Sequence, residues 1–142
     1  MPETKPKQAT TTVVPVTINI NIEQIANLLC SAFEGGSNYW YVIESARAPL
    51  NYDRYRSFPD TIIKHIDYPL NAHGGLTIST LEGDEFSGRT KWPLNYSACV
   101  RGLTVMAEKY PHHFTAVLDE SDDATTGDVF LQCCLFGEVV YG

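Results

Sequence analysis

The sequence has no apolar run near the roughly 20 residues that cross a bilayer as a helix. Its first twelve residues, MPETKPKQATTT, hold no apolar signal-peptide core. Both lacks favour a soluble, intracellular chain with no membrane contact. Basic residues are scarce: ten Lys+Arg stand against seventeen Asp+Glu, a formal charge of −7. That balance disfavours generic binding along duplex DNA, whose affinity comes from cations neutralising phosphates. After Lys109 there is no Lys or Arg at all, while Asp119, Glu120, Asp122, Asp123, Asp128 and Glu138 remain. Strong catalytic signatures are missing too: no Walker A run, no Gly-x-Gly-x-x-Gly, no Gly-x-Ser-x-Gly, no His-Glu-x-x-His. The cysteines (Cys30, Cys99, Cys133, Cys134) include no Cys-x-x-Cys. The histidines (His65, His73, His112, His113) stand at no zinc spacing to a cysteine pair, so neither metal nor cofactor is expected.

What is present suits a folded domain. Hydrophobic residues make up 44% of the 142 and charged residues 19%, which excludes wholesale disorder. Residues 1–12 read as a flexible tail before a single domain over 13–142. VVPVTINI (13–20) is β-branched and alternating, which predicts a strand with Pro15 at an edge or near its start. Asn21 and Gln24 form a capping-box pair ahead of an amphipathic helix over 22–34, stopped by Gly35-Gly36. NYWYVIE (38–44) reads as a strand. LTIST (76–80) and RTKWPL (89–94) read as a hairpin. Asn95 caps an expected helix over 96–110 that Pro111 ends, and 112–118 suggests a short helical turn. Thr126 is the expected cap of a last helix over 127–136, with Asp128 near its positive end. Gly137 terminates it, and EVVY (138–141) suggests a final strand. The fold class is therefore α+β: about three helices packed on a small, mostly antiparallel sheet of four or five strands. Three of the cysteines fall on apolar helix faces and read as buried, reduced thiols.

Two surfaces offer binding chemistry. One is aromatic and basic: Asn38, Tyr39, Trp40, Tyr41, Arg47, Tyr52, Arg54, Tyr55 and Arg56. Its rings suit stacking on bases or anchoring a protein interface, and its guanidinium groups suit phosphates. The other is acidic: Asp119, Glu120, Asp122 and Asp123, suited to a basic groove on a partner. As a calcium loop the acidic run fails, because Ala124 stands where the turn needs Gly and Phe130 where bidentate Glu is needed. His65, Asp67 and His73 are the candidates for acid/base chemistry, with no shared regular face.

EGGSNYWY (34–41), the His73-Gly74-Gly75 entry to a strand and the ending LQCCLFGEVVYG (131–142) carry a resemblance. Together they resemble a widespread, uncharacterised family of small proteins from tailed bacteriophages and prophages. Its members often show Gly-Gly-x-Asn-Tyr-Trp, a Gly-Gly before a strand, and an ending close to Leu-Phe-Gly-Glu-Val-Val-Tyr-Gly. The resemblance covers residues 20–142, and His73 stands where that family carries Arg. It implies host takeover or counter-defence in the host bacterial cytoplasm. The leading expectation is a non-catalytic accessory protein that blocks a host protein or ribonucleoprotein, with homo-oligomerisation compatible. The alternative is a sponge for a small nucleotide signal. A hydrolase using His65, Asp67 or His73 and a virion component follow.

Overall fold

The computed structural model describes residues 10–37, 39–50, 65–80 and 90–142. Helix α1 (Ile22–Ser31) starts where expected. The Asn21 side chain accepts from the Gln24 backbone N–H at 2.9 Å, and Gln24 Oε1 accepts from the Asn21 N–H at 3.2 Å. Ile25, Leu28 and Leu29 recur at helical spacing and are buried. Beyond Ser31 the helix widens into a π-helical turn, Ala32–Gly36.

Three strands form one antiparallel sheet in the order β1 (Tyr41–Arg47), β2 (Gly75–Thr80), β3 (Lys91–Leu94). Ile43 faces Ile78, which in turn faces Trp92. Leu76, Ile78, Trp92 and Leu94 alternate inward to the core, as the period of two requires. Asn95 then caps α2 (Tyr96–Lys109), accepting from Ala98 N–H at 2.9 Å. Pro111 ends α2 and opens α3 (Pro111–Leu118), since a proline at the first helical position gives up no intrahelical hydrogen bond.

The core is organised around α4 (Ala124–Phe136), which packs on α1, α2, the π-helical turn and β3. Every residue from Thr126 to Leu135 is buried. A helix apolar on one stripe lies at a surface, and one covered on all sides lies at the centre. Gly137 closes α4 in the left-handed region at φ 74°. The carbonyls at its C-terminal end are met by the cations of α2: Arg101 Nη2 donates to Cys134 O at 2.7 Å and Lys109 Nζ to Gly137 O at 3.1 Å.

The α+β class stands, with corrections. Among the described residues the sheet has three strands, not four or five, and α3 is a full helix rather than a turn. Among the described residues VVPVTINI pairs with no strand. EVVY joins none because Gln132 Oε1 accepts from the N–H groups of Val140 and Tyr141, at 2.7 and 2.8 Å. The cap of α4 is Asp123, not Thr126. Its carboxylate takes both the Thr126 N–H and the Thr126 hydroxyl, so the helix begins three residues earlier than expected. Residues 1–9 of the tail lie outside the described residues. Among those described, no helix is long and apolar enough to cross a membrane.

The four thiols are free. Burial pushes the Cys133 thiol up to about 11, and pushes Cys134 up as well, reinforced by its hydrogen bond with Cys99. Only Cys30 is partly exposed. Native protein is therefore expected to yield no more than one equivalent of reactive thiol to an alkylating reagent, and all four after unfolding. A second thiol reacting at the native rate would contradict this packing.

Candidate protein-binding surface

Asn38, Tyr52, Arg54, Tyr55 and Arg56 lie outside the described residues. The rest of the aromatic and basic stretch is largely committed to the fold. Trp40 is fully buried, stacks on Tyr141 at 5.3 Å and 5° between planes, and touches Phe136 at 5.4 Å. Tyr41 is half-buried against Phe33, and burial pushes its hydroxyl up to about 12. Tyr39 keeps an exposed ring, but its hydroxyl donates to Asp128 Oδ2 at 2.8 Å and is pushed up to about 12, by burial first and then by that carboxylate. Arg47 Nε donates to His73 O at 2.7 Å and braces a turn in which His73 takes φ 65°.

Asp128 is the residue that sequence reasoning misplaced. Expected near the positive end of the last helix, it lies in the second turn and is buried, and Oδ1 accepts from Ser37 Oγ at 2.8 Å, Trp40 Nε1 at 2.8 Å and Gln132 Nε2 at 3.2 Å. Gln132 then holds the C-terminal residues, donating to Tyr141 O at 3.0 Å while accepting from Val140 and Tyr141 N–H. The GGSNYWY and LFGEVVYG motifs thus meet at one buried junction, which gives them a structural role. The missed signal was a polar pair at i and i+4 inside an otherwise apolar helix.

The acidic run does lie outside, on the turn between α3 and α4. Asp119, Glu120 and Asp123 are exposed and Asp122 is half-buried. Its backbone is fixed: Glu120 N–H donates to Val117 O at 3.2 Å and Ser121 N–H to Ala116 O at 2.9 Å, the pair of bonds that closes a helix in a Schellman motif. The residue between those bonds must be left-handed, a place glycine normally fills. Here Glu120 takes it at φ 57°. Asp123 spends its carboxylate on capping α4, and the Thr126 N–H and hydroxyl hold it below the usual carboxylate range. Among the described residues no hydrogen bond or ion pair engages the side chains of Asp119, Glu120 or Asp122.

A second exposed feature is apolar. Residues 12–21 run without helix or strand beside α2 and α3, and a groove of about 680 Å³ lies between them. Val13 is 95% exposed and Val16 70%.

The remaining candidates do not converge. His65 packs its ring near Phe33, Asp67 Oδ1 accepts from Asn71 Nδ2 at 3.0 Å, and His73 sits in its turn. Among the described residues, no group of three His, Cys, Asp or Glu side chains is placed to share a metal ion. Compared with family models, with curated proteins and with solved structures, the chain gives no match.

Proposed function

We propose that the chain is a non-catalytic binding protein that covers a basic surface of a host protein or ribonucleoprotein. The phage family that its motifs resemble sets that action in the host bacterial cytoplasm. The observation that carries the reading is Glu120. Its backbone position favours glycine, at a cost of about 1–2 kcal/mol for a side chain such as glutamate, yet it bears a carboxylate that no described residue engages. Backbone strain kept at an exposed, charged residue supports a role for the side chain outside the fold. Asp119 and Asp122 on the same hydrogen-bonded turn offer carboxylates at little ordering cost, which favours electrostatic steering toward a basic partner. A small nucleotide finds less support, since Trp40 and the Tyr39 hydroxyl are spent on Asp128 and Arg47 on a backbone carbonyl.

The test separates function from stability by sign. Glu120→Gly is expected to stabilise the fold by roughly 0.5–1 kcal/mol in urea unfolding. The same variant should weaken capture of a basic partner from host lysate several-fold. Asp119→Lys should abolish that capture, and the wild-type capture should weaken as salt rises. Equal recovery by all three proteins at every salt concentration would sink the proposal.

A further inference from the structure

We propose that the groove between residues 12–20 and the α2–α3 face is the contact between two copies of this chain, each laying its N-terminal segment along the other. The inference is independent of the acidic turn and would give the binding protein two such turns.

Four observations carry it. First, VVPVTINI has the alternation of a β-strand, yet no hydrogen bond joins residues 12–20 to any described part of the chain. Unpaired backbone N–H and C=O groups on β-branched residues are a template for another strand. Pro15 offers no N–H, so pairing falls mainly on the residues after it. Second, the apolar side chains that line the groove stand open to water. Val13, Val14, Val16 and Ile18 on the segment, and Tyr96 and Val100 on α2, are all 44% exposed or more and all line the groove. A monomer seldom leaves such a patch uncovered.

Third, charge chooses the occupant. Residues 10–21 carry no charge at all, and Glu108 is the single charged residue lining the groove. With no cation there, the groove has nothing to hold a phosphate or a nucleotide. Two chains of formal charge −7 repel over most of their surface, and an uncharged face is where they can meet. Fourth, the area is sufficient. The six residues named expose on the order of 600 Å² per copy, and covering both sets completely removes about 1,200 Å², the lower bound for a stable interface. The contact is isologous: the segment of one copy meets Tyr96 and Val100 of the other, and the reverse, so it closes at two chains.

Sedimentation velocity of the full chain across the micromolar range tests this. The wild type is expected to pass from monomer to dimer with rising concentration and to go no further. Val16→Asp on the segment and Val100→Asp on the opposite wall change exposed residues, so each should keep the wild-type circular dichroism and, at concentrations where the wild type is monomeric, its melting profile. Each should raise the dimer dissociation constant about tenfold or more, since two charges per dimer are placed in an apolar contact. Glu120→Gly should leave the dimer intact, which keeps this result separate from partner capture. A wild type monomeric throughout would overturn the proposal, whether or not the groove takes a foreign peptide. A dimer that neither aspartate weakens would overturn it as well.

Discussion

Replacing Asp128 with alanine is expected to cost about 3 kcal/mol or more, because each hydrogen bond to a charged group contributes roughly 1.5–3 kcal/mol and a buried donor left alone costs about 1–3 kcal/mol. Ser37 Oγ, Tyr39 OH, Trp40 Nε1 and Gln132 Nε2 all donate to this one carboxylate. They do not lose equally. The Tyr39 ring is half exposed and its hydroxyl can turn to water, and Gln132 Nε2 keeps the Tyr141 carbonyl. Ser37 and Trp40 are buried, and among the described residues neither polar group has another acceptor. Among the described residues no cation pairs with Asp128, so the loss is one of hydrogen bonds rather than of a salt bridge. Asp128→Asn is therefore the informative companion. Its oxygen still accepts from Trp40 and Ser37, and only the Tyr39 hydroxyl meets an amide in place of an acceptor. Asparagine should recover more than half of the loss in urea unfolding. Equal losses for the two variants would mean that the charge, and not the hydrogen-bond acceptor, holds the junction.

This junction also marks where the sequence was legible and where it was not. Local signals are legible. Asn21 with Gln24, Asn95 and Gly137 mark helix ends by chemistry confined to neighbouring residues. The hairpin of β2 and β3 follows from alternation alone. Asp128 could not be read that way, because what decides its state is a tryptophan 88 residues distant in the chain. An aspartate in the second turn of a helix looks solvated until the elements around the helix are known. Trp40 was ambiguous for the same reason: an aromatic beside two tyrosines suits an interface and a core equally, and only its stacking on Tyr141 decides. The segment over 13–20 shows the opposite failure. Its pattern is that of a strand, and the chain supplies no described neighbour for it. Periodicity reports what a segment can pair with, not whether the partner lies in the same molecule. The acidic turn was legible as charge, but the left-handed backbone of Glu120 had no signal in the sequence, since Ser-Asp-Asp after Asp-Glu names no glycine position.

Gly127→Ala is expected to destabilise the fold by about 2 kcal/mol, although alanine is favoured over glycine inside a helix by roughly 1 kcal/mol. The sign follows from the crossing of α4 on α1. A methyl group on Gly127 would lie 2.7 Å from Ser31 Cβ, 2.8 Å from Ala32 N and 2.9 Å from Leu28 O. Two of these are backbone atoms at the point where α1 opens into its π-helical turn, so no side chain can swing aside to make room. Overpacking of this kind costs typically 1–3 kcal/mol, and more where backbone must move. Gly102 is the matching contact on α2, where a methyl group would meet Sγ of Cys134 and, at 3.0 Å, its Cα and N. The two contacts hold α4 near its opposite ends. Positions 127 and 134 are about 10 Å apart along the helix, far enough for losses to add within roughly 0.5 kcal/mol when no partner is shared. Urea unfolding of Gly102→Ala, Gly127→Ala and the pair is the measurement. Near-additive losses would show α4 seated by two separate close approaches. A double variant no worse than Gly127→Ala alone would show that α4 shifts as one body once either approach is blocked, and that the crossing with α1 sets its position.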